Sequence, residues 1–202
     1  MRIVIGLTLV LAVFTAIAPP AVAQSITCHW GKPSAPVRMD IFSDYECPAC
    51  RAFYLQTLRL MFKDYADTGK VCVVYRHFPL SSHAHAVEAS RYAEAAFRIG
   101  LQQWVKVTDA LFVNQPQWSE TGDIDTIIAK VLSAEEMAAV HKRIADRSID
   151  GPIEADIREG VYLEVDSTPT FFLTARGQTL KIAAALQYSS LQSGWMRCWE
   201  NS

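Results

Sequence analysis

Two cysteines three residues apart, Cys47 and Cys50, stand where one kind of sequence pattern gives way to another. Upstream, Val37 to Asp44 alternates apolar and polar residues and ends in a polar cluster, the signature of a strand. Downstream, Tyr54, Leu58, Met61 and Tyr65 recur at helical spacing, with Thr68-Gly69 as a stop. Pro48 suits the first position of a helix, where its missing N–H leaves nothing unpaired, so Cys47 falls at the N-cap. Its sulfur then faces backbone donors that have no partner within the helix. Those donors favour a thiolate, and Cys50, one turn further in, is within reach to resolve a mixed disulfide formed at Cys47.

Other uses of such a pair fit less well. Half of a zinc site would need a second Cys-x-x-Cys or a suitably spaced His pair, and the chain has neither. A purely structural disulfide would close a loop so short that it restricts the unfolded chain little. A redox pair is the reading that remains.

Lys70 to Phe78 is rich in β-formers and ends at Pro79, which completes a strand-helix-strand unit and predicts a parallel strand pair. Residues from about 82 to 163 carry helical patterns only, one opening with the capping box Ser133-Ala134-Glu135-Glu136. Trp104, Leu111, Phe112 and Trp118 in this block are candidate core. Thr170 to Thr174 and Thr179 to Ala183 then flank the turn Ala175-Arg176-Gly177-Gln178, and a final helix is expected around Ser189 to Trp199. The predicted class is α/β, with βαβ and ββα halves and a helical insertion between them.

The N-terminus reads differently. Met1-Arg2 precede an uncharged, largely apolar stretch from Ile3 to Ala18, followed by Pro19-Pro20 and the small-x-small pattern Ala21-Val22-Ala23. Residues 1–23 are therefore expected to be a cleaved signal peptide, since the apolar run falls short of a membrane span. Residues 24–202 would form the domain, and the localisation would be periplasmic or secreted. Outside the cytosol five cysteines imply at least one disulfide, and the odd count leaves a thiol over. With 19 basic and 21 acidic residues and no polybasic tract, nothing recommends nucleic acid as a partner. No metal or other cofactor is called for by any motif.

The second chemical signal is Ser167-Thr168-Pro169-Thr170, just before a β run. Proline there marks an edge or special turn, with a cis bond open to it. Four segments together resemble the DsbA-like thiol-disulfide oxidoreductases, thioredoxin folds with an inserted helical domain. They are Phe42 to Cys50, Tyr75-Arg76-His77-Phe78-Pro79-Leu80, the stretch through Ala84-His85-Ala86, and Val165 to Phe172.

The resemblance implies Cys47 as nucleophile, Cys50 as buried resolving thiol, Pro48 and Ala49 as the intervening motif, and Pro169 as a cis-proline against the pair. It implies that Thr168 offers backbone groups to a substrate strand. Reduced or misfolded exported proteins would be the substrates, a membrane-bound or soluble redox partner would recycle the pair, and the chain would act as a monomer. An oxidase is the leading expectation; an isomerase or reductase would use the same residues, and a copper-binding metallochaperone is the non-enzyme alternative. The family's topology further suggests Cys28 paired with Cys72, ahead of Cys28 with Cys198 or three free thiols.

One position departs from the resemblance. Many relatives place a buried acid six residues before the nucleophile, where this chain has Ile41. Asp40 would point to the opposite face of the strand. Asp44 and Glu46 are expected to be solvated, His83 and His85 ordinary polar positions, and His77 a surface or packing residue. The proton acceptor for Cys50 is left open.

Overall fold

A computed structural model describes residues 28–194. The signal-peptide reading of residues 1–23 and everything proposed for Cys198 and Trp199 lie outside those residues.

Strand β1 (Val37–Ser43) leads to helix α1 (Pro48–Phe53). The helix continues without a break in right-handed backbone geometry through a π-helical stretch (Tyr54–Leu58), the short α2 (Arg59–Met61) and a second π stretch (Phe62–Ala66). The expected single helix is thus locally unwound twice, a departure that apolar spacing does not register. Strand β2 (Val71–His77) returns parallel to β1, with Ile41 opposite Tyr75 and Ser43 opposite His77. Strands β3 (Thr170–Ala175) and β4 (Gln178–Ala183) form the expected hairpin, and β3 lies antiparallel to β1. The sheet order is β2-β1-β3-β4, which is the thioredoxin-like α/β arrangement.

Between β2 and β3 run α3 (Ala86–Phe97), α4 (Leu101–Val113), α5 (Gln115–Thr121), α6 (Ile124–Ile128), α7 (Ala134–Ala145) and α8 (Asp150–Tyr162). The capping box at Ser133 and Glu136 forms as expected, each side chain accepting from the other's backbone N–H. Trp104, Leu111, Phe112 and Trp118 are completely buried. The described part of the last helix is α9 (Tyr188–Gly194).

Strand alternation divides the core into two faces. Met39, Ile41, Val73, Tyr75 and Phe171 join Cys50, Phe53 and Leu58 under the helix that begins with α1. On the other face Phe42, Phe78 and Val165 form a smaller cluster, with Phe42 edge-on to both Phe78 and Phe172. Asp40 belongs to this second face: it accepts from Arg38 Nε at 2.6 Å and Arg76 Nε at 3.1 Å. Arg76 reaches on to Asp156 of α8 at 2.9 Å. Asp40 is therefore held away from Cys50, as strand geometry requires.

Cys28 and Cys72 are joined by a disulfide, the leading pairing of the sequence reading. Cys28 to Cys198 and the all-free arrangement are thereby excluded. The bond clamps the segment before β1 to the outer edge of β2, where Trp30 makes an antiparallel bridge to Val73.

Helix α8 approaches its face of the sheet at Gly160, where a β-carbon would lie 2.5 Å from the Phe78 ring and 3.1 Å from that of Phe42. Ala in a helix interior gains about 1 kcal/mol over Gly, whereas forcing an extra methyl into a packed core costs about 1–3 kcal/mol. Gly160→Ala should therefore lower the urea midpoint of unfolding. A midpoint equal to or above that of the natural protein would mean that the ring yields freely and that the close approach imposes no constraint.

Candidate active site

The crossover from β1 to α1 is only four residues long, and each is anchored. Asp44, expected to be solvated, is instead fully buried. A buried carboxylate is tolerated only when donors replace its water, and three do so here. Asp44 Oδ1 accepts from the Glu46 N–H at 2.7 Å, and Oδ2 accepts from the Leu80 N–H at 2.8 Å and from His83 Nδ1 at 2.7 Å. Glu46 is half-buried rather than solvated, its Oε2 accepting the His85 N–H at 2.7 Å. Both acids thus staple the crossover to the loop after β2. His83 is likewise no free polar position. His77 is a packing residue, almost completely buried and 3.5 Å from Glu94.

The helical insertion braces the crossover from the other side. Gln115 donates from Nε2 to the carbonyls of Tyr45 at 2.7 Å and Cys47 at 3.0 Å. Arg51 Nε donates to the carbonyl of Phe112 at 2.8 Å, and the Tyr45 and Phe112 rings lie 5.1 Å apart. Sequence reading missed Gln115, because an amide in a helix carries no periodic signal. For Asp44 a signal existed: an acid two residues before an N–H that it can cap is the local Asx pattern.

Cys47 is the N-cap of α1, with extended backbone dihedrals and Pro48 following it. Its sulfur lies 3.4 Å from the carbonyl oxygen of Thr168, to which the thiol donates. The Thr168–Pro169 peptide bond is cis, so the structure brings together all four segments named from the sequence. Pro48 and Ala49 are exposed and Cys50 is buried. Both thiols are free.

The two sulfurs differ sharply in acidity. A hydrogen bond from the Cys50 thiol is the main influence holding Cys47 down; burial opposes it, and the Thr168 hydroxyl and the N–H groups of Cys50 and Ala49 add to the lowering. The outcome is a Cys47 pKa of about 5, against an ordinary 9.0. The Thr168 hydroxyl is itself buried and otherwise without a partner, so a thiolate is what it can serve. Cys50 moves the other way: burial pushes its thiol well above the usual range, with the hydrogen bond and charge of Cys47 adding to the rise. One cysteine is thus an anion at neutral pH, and the other keeps its proton beside it. Among the described residues no group of three or more His, Cys, Asp or Glu is placed to hold a metal ion.

The sequence model of the thioredoxin family matches residues 24–192. The chain belongs to that family. Its fold is similar to that of solved DsbA structures. The chain is 24% identical over 155 residues to a probable disulfide bond formation protein D of Bacillus cereus, covering 75% of this chain and 71% of that protein. The crystal structure of Wolbachia pipientis alpha-DsbA1 superposes with a TM-score of 0.72 at 20% identity, over 85% of this chain and 89% of the other. A related segment also occurs in a Na(+)/H(+) antiporter, NhaA 1, of Mycolicibacterium gilvum: 27% identical, it covers 81% of this chain but only 26% of that protein.

A depressed pKa stabilises the folded, reduced protein above the unfolded value, and the contribution disappears as pH falls through the folded value. For Cys47 the window runs from about 9 down to about 5. Ultraviolet thiolate absorbance of the reduced protein should therefore titrate with a midpoint near 5. The urea midpoint of the reduced form, relative to Cys47→Ser, should fall between pH 8 and pH 4. A thiolate midpoint at or above the ordinary value would refute this electrostatic account.

Proposed function

We propose that this chain is an exported thiol-disulfide oxidoreductase that forms disulfides in other exported proteins. The observation that carries the proposal is the split between the two sulfurs, with Cys47 acidic at the start of α1 and Cys50 buried and protonated. The DsbA-like fold and the disulfide-formation relative support the same reading.

In the oxidising direction a substrate thiolate attacks Cys47 Sγ in the Cys47–Cys50 disulfide. The S–S bond breaks, Cys50 leaves with the bonding electron pair, and it takes up a proton, as its high affinity for one favours. A second substrate thiolate then attacks the substrate sulfur of the mixed disulfide. Cys47 departs as the anion, and the substrate has lost two electrons and two protons. A thiol of low pKa is a good leaving group, and the reduced enzyme is stabilised by the charges and donors around its thiolate. Both effects favour oxidation of the substrate. Thr168 and Pro169 form the wall beside Cys47, and we assign to the Thr168 backbone the holding of an extended substrate segment. A redox partner must reoxidise the pair after each cycle.

Two variants separate the roles of the sulfurs. Cys50→Ala leaves a mixed disulfide at Cys47 with no internal exit, so covalent complexes with a cysteine-bearing peptide should accumulate. Cys47→Ala should trap almost none. Equal trapping by the two variants, read on non-reducing gels, would overturn the assignment. A reduction potential near that of a reducing thioredoxin rather than a strong oxidant would replace the oxidase reading with a reductase one.

A further inference from the structure

Asp44 raises an electrostatic question that the exchange chemistry does not answer. A fully buried carboxylate stands three residues before Cys47, and its main-chain carbonyl accepts the Cys47 N–H at 3.2 Å. Through a poorly solvated protein interior, a negative charge at that place works against a second one on Cys47. Two backbone N–H groups satisfy the Asp44 oxygens but carry no net charge. Among the described residues, the one cationic side chain bonded to Asp44 is His83, at 2.7 Å.

The donor and acceptor roles in this contact follow from the partner. An ionised carboxylate has no proton to give, so His83 Nδ1 must carry the hydrogen. The imidazole is about one-fifth exposed, whereas Asp44 has no exposure at all, which leaves the second ring nitrogen free to exchange its proton with water. His83 therefore sits as a titratable link between the buried acid and solvent. The loop that carries it, between β2 and α3, is the one to which Asp44 and Glu46 staple the crossover.

We propose that His83, seated on the buried Asp44 carboxylate, is a positioning and charge-compensating residue that adds to the local donors in favouring the Cys47 thiolate. The proposal deepens the exchange reading and rests on it. His83 touches no reacting atom in this account. It neutralises Asp44, and it holds the crossover that sets the direction of the Cys47 sulfur.

The surroundings of His83 agree with this. Burial alone would lower its pKa; the hydrogen bond and charge of Asp44 outweigh burial, and the charges of Cys47 and Glu46 add to the rise above the ordinary 6.5. The titratable groups that act most strongly on the ring are Asp44, Cys47 and Glu46, all of them acidic. A raised pKa means that compensation is complete at low pH and is lost as pH rises through the folded His83 value. Coupling between two sites is reciprocal: whatever His83 does for the thiolate, the thiolate must do for His83.

Two measurements test this. In the natural protein, NMR titration of the His83 ring should give a lower pKa in the oxidised form, which has no thiolate, than in the reduced form. A purely structural histidine would titrate alike in both. In the second measurement, thiolate absorbance of His83→Gln, which keeps a donor but not the charge, should show the Cys47 midpoint raised by about 1 unit. His83→Lys, which restores the charge, should bring it back toward the natural value. An unmoved Cys47 midpoint in His83→Gln, or identical His83 titrations in the two redox forms, overturns the proposal. A natural protein that couples His83 to Cys47 in this way but cannot oxidise a dithiol peptide would instead overturn the exchange reading, so the two failures are distinct.

Discussion

A sulfur placed at the first turn of a helix gains from the unpaired N–H groups only if the helix start cannot drift. In this chain that start is held from two directions. Asp44 and Glu46 tie the crossover to the loop after β2, and Gln115 ties its carbonyls to the helical insertion. The insertion is therefore more than a cover over the sheet. Its α4–α5 junction supplies the amide that fixes the N-cap, so packing far along the chain is transmitted to the geometry at Cys47. The acidity of Cys47 then follows from local donors, with the Cys50 thiol foremost.

The sheet imposes a second discipline through its two-residue period. Ile41 and Ser43 face α1 together with Tyr75 and His77, while Asp40 points to α8 and is consumed by Arg38 and Arg76. With Ile41 at the place where many relatives carry an acid, no carboxylate from β1 lies under Cys50. Burial raises the Cys50 thiol and the hydrogen bond and charge of Cys47 add to the rise, while hydrogen bonds to the Asp44 backbone and to Ser43 oppose it.

Much of this was legible in the residues. The period of the strands, Pro48 at the helix start, the capping box at Ser133 and the hairpin around Gly177 are local rules, each enforced by backbone sterics or hydrogen bonding within a few residues, and each holds in the structure. The pairing of Cys28 with Cys72 came from family topology, not from spacing. What stayed hidden was long-range. Asp44 looks like a surface acid because its burial depends on donors from Leu80 and His83, more than thirty residues away. Gln115 looks like any polar helix residue until the fold sets it against Tyr45 and Cys47. The π-helical stretches after α1 follow no pattern of apolar spacing.

The disulfide between Cys28 and Cys72 has a consequence for the life history of the molecule. It fastens the first described residue to the edge strand of the sheet and closes a loop spanning 44 positions. On the proposed function, this chain contains a bond of the same kind that it makes in others. On that proposal, a copy exported with its thiols reduced would itself be a substrate for the chemistry that it performs. The oxidant for its own bond would then come from finished copies or from another donor, which would place the protein inside the process that it is proposed to serve.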